Sequence, residues 1–160
     1  MKKLALSSLI LLAVFLACGE GGGNPGDAVL EMFYAIQAGD GARAVSFMSS
    51  SALSEMDVQL DLIKEDPEMA AMQLAAMGIE LNAEDIPEMT AREFTAAMMS
   101  SPMISGMMQS AEVSIGEVTI DGDVAKVEVT TSFMGETETN TIDVVREDGS
   151  WKVTEFGINL

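Results

Sequence analysis

The chain has 160 residues, 48% of them hydrophobic, with 26 acidic and 8 basic side chains, no histidine and a net charge of -18. Such a charge repels phosphate backbones, so nucleic acid is excluded as a partner. A single cysteine, Cys18, excludes an intrachain disulfide, and the absence of histidine removes the commonest general base and metal ligand.

The chain opens with Lys2 and Lys3 and then runs uncharged from Leu4 to Ala17. This is the charged n-region and apolar h-region of a secretory signal, shorter than the roughly 20 apolar residues of a membrane span. A core helix would have no reason to start on two lysines and finish in a glycine run. Phe15, Leu16 and Ala17 before Cys18 resemble the lipobox of bacterial lipoproteins. The resemblance implies a signal peptide over 1–17, lipid on Cys18 as mature N-terminus, and attachment to a membrane of the bacterial cell envelope. Gly19 after the cysteine favours the outer membrane in a Gram-negative source. Removing Lys2 and Lys3 takes the basic residues from 8 to 6 against 26 acidic ones, and the charge from -18 to -20. Acyl chains, not electrostatics, must then hold the protein to its membrane. Residues 18–25, "CGEGGGNP", read as a flexible tether, since no Gly-Lys-Ser/Thr follows the glycines to make a phosphate loop. Residues 26–160 are enough for one domain.

The first helix places Val29, Met32, Phe33 and Ile36 on one face and ends at Gly39. Asp40 caps a second through Ala44, Val45 and Met48. Ser54 with Asp57 starts a third, with Met56, Leu60 and Ile63 as its apolar face. Asp66-Pro67 starts a fourth that closes at Gly78. Thr90 to Glu93 is spaced as a capping box before Phe94 and Met98, and Ser101-Pro102 opens one more turn or two.

From Ala111 the period becomes 2. Four antiparallel strands are predicted over 112–120, 123–134, 137–147 and 150–160, with hairpin turns at Asp121-Gly122 and Asp148-Gly149. In the last strand Trp151 and Val153 oppose Phe156, Ile158 and Leu160 in phase, which predicts a bulge near Thr154 or Glu155. Helices followed by a curved meander make an α+β fold. Val29, Phe33, Val127, Val129 and Phe156 are expected in its core.

The segments "AIQAGDGARAVSFM", "DVAKVEVTTSF" and "EDGSWKVTEF" resemble the nuclear transport factor 2-like superfamily, relatives of the cystatin-like cone, and above all its small bacterial lipoproteins of unknown function. The likeness runs from Pro25 to about Gly39 and from Val113 to Leu160. Residues 52–110 depart from it, being longer and richer in methionine. The resemblance implies helices packed on a curved four-stranded sheet, leaving a cavity between them. Candidate lining residues are Met32, Phe33, Met98, Met103, Met107, Phe133 and Trp151.

Several members are isomerases or cyclases, but the position of the isomerase tyrosine is Met32, and Tyr34 lies about 200° around the helix from it. No catalytic residue is assigned. The acidic pairs Glu65-Asp66, Glu84-Asp85 and Glu147-Asp148 read as turns and caps, although paired carboxylates remain the route by which an enzyme would work here. Asp121 to Asp123 is too short for a calcium loop. Nine of the fourteen methionines fall between Met69 and Met108. Met69 with Met72 and Met103 with Met107 have helical spacing and thioethers suited to Cu(I), or they fill an irregular core or line a permissive pocket. No other cofactor is implied. The sequence thus points to a lipid-anchored, non-catalytic domain binding an apolar small molecule or an envelope protein, with the methionine-rich helices closing the open end of the cone. A structural lipoprotein with a filled cone, a Cu(I)-binding protein and a carboxylate enzyme are the alternatives.

Overall fold

The computed structural model describes residues 23–155. The signal, Cys18, Phe156, Ile158 and Leu160 lie outside the described residues.

Helix α1 (Pro25–Gln37) begins where Asn24 accepts a hydrogen bond from the Gly26 amide. The helix therefore takes in Pro25, which the sequence reading left in the tether. Val29, Met32, Phe33 and Ile36 are all buried. Helix α2 (Gly41–Ser46) is capped by Asp40, as its spacing predicts. Helix α3 (Ser50–Lys64) starts five residues earlier than predicted, because Ser49 caps it, accepting from the Ala52 amide, and not Ser54. The first residue of the helix is also fixed from outside. The Ser50 amide donates to both carboxylate oxygens of Glu147 at 3.0 Å, and the Ser50 hydroxyl adds a bond of 2.8 Å.

Helix α4 (Pro67–Ala76) has Asp66 as its cap. It ends as Gly78 takes φ +76°, a value costly for any residue with a Cβ, so that the Gly78 and Ile79 amides reach the Ala75 and Leu74 carbonyls. A 3-10 turn over Ile86–Glu88, which periodicity did not reveal, buries Ile86. Helix α5 (Ala91–Met99) carries the full Thr90–Glu93 capping box, and α6 (Pro102–Gln109) is capped by Ser101.

Strands β1 (Ala111–Asp121), β2 (Val124–Phe133), β3 (Glu136–Glu147) and β4 (Ser150–Val153) form one meander, each pairing antiparallel with its neighbour. This is the α+β arrangement that the resemblance implies. One pairing departs from it: Met48 bridges Val153 in parallel, through Val153 N–H to Phe47 O (2.8 Å) and Ser49 N–H to Val153 O (2.9 Å). That bridge ties the α2–α3 link to the sheet edge.

The turns also differ from expectation in detail. At the first, Asp121 pairs with Val124, so the turn residues are Gly122 and Asp123, with only Gly122 at positive φ. Asp148-Gly149 has both residues at positive φ, as predicted, and so does Met134-Gly135, where a methionine holds a position usually given to Asn, Asp or Gly. Among the described residues the bulge is not in β4, which stops there at Val153. It is in β1, where Ile115 pairs with Val129 and Val118 with Val127, leaving Gly116 and Glu117 opposite Glu128 alone. The extra residue turns both Ala111-Val113-Ile115 and Val118-Ile120 to the face that carries Val127 and Val129.

The buried apolar residues form two clusters. The main one joins Val29, Met32, Phe33, Ile36, Val45, Met99 and Met108 to Val127, Val129, Ile142, Val144, Trp151 and Val153. Of the residues expected in the core, the four that are described lie in it. A smaller cluster of Leu60, Leu74, Ile79 and Phe94 is bordered by Met56, Met89 and Met98. The methionine-rich stretch is therefore not one cover over the cone. Helix α6 packs on α1 and β1, α5 on α2 and α3, and α4 on α3 and the 3-10 turn. Among the described residues no helix is long and apolar enough to cross a membrane.

Candidate binding cleft

The interior expected to be a cavity holds side chains. Met32, Phe33 and Trp151 are buried together in the main cluster. Tyr34 is 51% exposed. Met98 borders the smaller cluster, Phe133 is half-buried near the β2–β3 turn, Met107 is half-buried on α6 and Met103 is exposed on it. The copper candidates Met69 and Met72 are exposed on α4, a different helix from Met103 and Met107. The seven predicted lining residues thus do not converge on one site.

A cleft of about 320 Å³ opens instead beside Trp151. Three segments distant in sequence make it. Residues 23 to 31 supply Gly23, Asn24, Asp27, Ala28 and Glu31; the α2–α3 link gives Ser46 and Phe47; β4 gives Ser150, Trp151 and Lys152. Each is held from behind. The parallel bridge fixes Phe47, Arg43 pairs with Glu31, and the Lys152 ammonium donates to the Ser46 carbonyl. The Arg146 guanidinium lies 4.5 Å over the Trp151 ring and pins it by cation–π attraction. The result is an apolar floor of Ala28, Phe47 and Trp151 with polar groups around it, the usual make-up of a small-molecule site. The family resemblance pointed to Trp151 alone among these residues. The others have no shared local signal, because the site exists only once α1 is laid against β4.

At least one member of each carboxylate pair has a structural role. Asp66 caps α4, Asp85 accepts from the Asn82 side-chain amide at 2.9 Å, Glu147 accepts from the Ser50 amide across the fold, and Asp148 sits in its turn. A second cleft, of about 460 Å³, lies between Gly78-Glu80 and Ala97-Pro102 and has no aromatic lining.

A family model described as "Putative lumazine-binding" matches residues 65–155, more than half of the chain. Of the cleft beside Trp151, that stretch contains Ser150 to Lys152. A solved structure from Campylobacter jejuni, described as a "Putative NTF2-like transpeptidase", is similar at 16% identity over 83% of this chain and 99% of that one, with a TM-score of 0.44. No curated protein matches the sequence.

Proposed function

Because the chain belongs to the family described as "Putative lumazine-binding", we propose that it is an exported binding domain, anchored by lipid on Cys18, that takes a small flat or apolar ligand into the cleft beside Trp151 without transforming it. The observation that carries this reading is the cleft itself, with two aromatic side chains and an alanine on its floor and the Asp27 carboxylate and Lys152 ammonium on its walls. A ring such as lumazine would lie on the apolar floor and offer its polar edge to those walls.

Trp151 is the only tryptophan, so its emission reports on the site directly. Titration of the purified domain with lumazine-type rings and with an apolar fluorophore is expected to give a saturable change in that emission. Ala28→Leu, which fills the floor, should abolish it. Absence of any saturable change would overturn the reading; so would a change that survives Ala28→Leu while amides of residues 78–80 and 97–101 gain protection. Intact mass on the membrane fraction checks the anchor independently.

One observation favours a second reading. The main cluster fills the space between helices and sheet with Met32, Phe33 and Trp151, as a purely structural envelope lipoprotein would have it.

A further inference from the structure

We propose that the end of the domain carrying the β1–β2 turn is its membrane-facing surface, with Ile120 and Val124 resting on the neutral or zwitterionic face of the bilayer that holds the Cys18 lipid. The proposal builds on the lipid-anchor reading and adds an orientation to it.

The direction of α1 fixes the geometry. Gly26 lies against β1, where a Cβ on it would come within 2.9 Å of Ile115 Cγ2 and 3.5 Å of Val118 Cγ2. At the other end of the helix, Gln37 Nε2 donates to the Ala111 carbonyl at 3.0 Å and the Met108 carbonyl at 2.9 Å. Helix α1 therefore starts at the β1–β2 end of the sheet, and Gly23, the first described residue, lies at that end.

Cys18 precedes Gly23 by five residues. Whatever their conformation, five residues span at most about 17 Å. From Val118 to the Gly122 turn, four residues of strand rise about 13 Å beyond the level of Gly26. The two lengths are comparable, so a domain held by its lipid cannot lift that turn far from the bilayer. At this end Ile120 is 54% and Val124 48% exposed, large apolar side chains turned to solvent. Asp27, Glu117, Asp121 and Asp123 stand nearby. They disfavour an anionic surface, and this fixes the chemistry of the partner as neutral or zwitterionic lipid. Gly23 also lines the cleft beside Trp151, which places that opening at the membrane-facing end.

The opposite end provides the control. Met134, 87% exposed in the β2–β3 turn, is separated from Val124 by the whole of β2, about 30 Å. The experiment uses the full lipidated chain in phosphatidylcholine vesicles whose headgroups carry a nitroxide quencher. A fluorophore is attached in turn to Val124→Cys, Ile120→Cys and Met134→Cys, Cys18 being blocked by its lipid. The 120 and 124 probes are expected to lose most of their emission and the 134 probe to keep most of its own. Equal quenching at both ends, or stronger quenching at 134, overturns the orientation while the anchor stands. An intact mass without lipid on Cys18 removes the anchor and the orientation with it.

Discussion

The two apolar clusters differ in how they are made. The main one takes residues from α1, α2, α5, α6, the start of α3 and three strands, so its members are held by segments far apart in the chain. The smaller one draws Leu60, Leu74, Ile79 and Phe94 from a single stretch and closes its gaps with the partly buried Met56, Met89 and Met98. Unbranched methionine fills irregular space but specifies it loosely. A rigid frame thus carries an adaptable helical appendage, and the binding cleft belongs to the frame.

Five substitutions and one titration would break or sharpen that division. Phe33→Ala removes a fully buried ring from the main cluster and is expected to cost about 3 to 5 kcal/mol in denaturant unfolding. A loss below about 1 kcal/mol would mean the frame is not built on α1. Gly41→Ala strikes the joint between the two regions. A Cβ there would lie 1.9 Å from the Ala96 carbonyl oxygen and 2.5 Å from Ser100 Oγ, the latter already accepting from the Gly41 amide, so α5 must shift. The cost should be about 1 to 3 kcal/mol, with hydrogen exchange rising first in the smaller cluster. Thr90→Ala deletes the α5 cap and should cost about 1 kcal/mol.

The same cap gives the appendage a pH dependence. The Thr90 amide, and then its hydroxyl, donate to the Glu93 carboxylate and hold it below its usual pKa. Stability from this contact is therefore complete above the ordinary carboxylate value and is lost as pH falls through the lowered one. Exchange at the start of α5 should rise over that acid range in the wild type, and Glu93→Gln should flatten the rise. The smallest effect is expected at Thr95, whose buried hydroxyl has no hydrogen-bond partner. Thr95→Val should be neutral or stabilising by up to about 1 kcal/mol in the same unfolding assay, since it relieves an unmet polar group.

Most helix starts were legible because a cap is a local device. Asp40, Asp66, Thr90 and Ser101 announce theirs within three residues. The start of α3 was not, because Ser49, Ser50, Ser51 and Ser54 are equivalent as local caps and only packing, with Glu147 reaching across from β3, decides among them. The bulge was written in the sequence, as the phase slip between Ile115 and Val118, but the same kind of slip after Val153 drew attention to the wrong strand. The Met134 turn had no turn residue before its glycine to mark it. The cleft was the least legible feature, since Asp27, Phe47 and Lys152 meet only through the tertiary fold.

The bulge in β1 has a consequence for life on a surface. β1 is an edge of the sheet and eleven residues long, the kind of strand onto which a second copy can add its own. Confinement to a membrane would crowd such edges together in two dimensions. Gly116 and Glu117 break the regular spacing of amides along the edge halfway, and Glu112 and Glu117 put like charges where a symmetric neighbour would bring its own. The residue that turns Val118 inward thus also spoils this edge for a second copy of the chain.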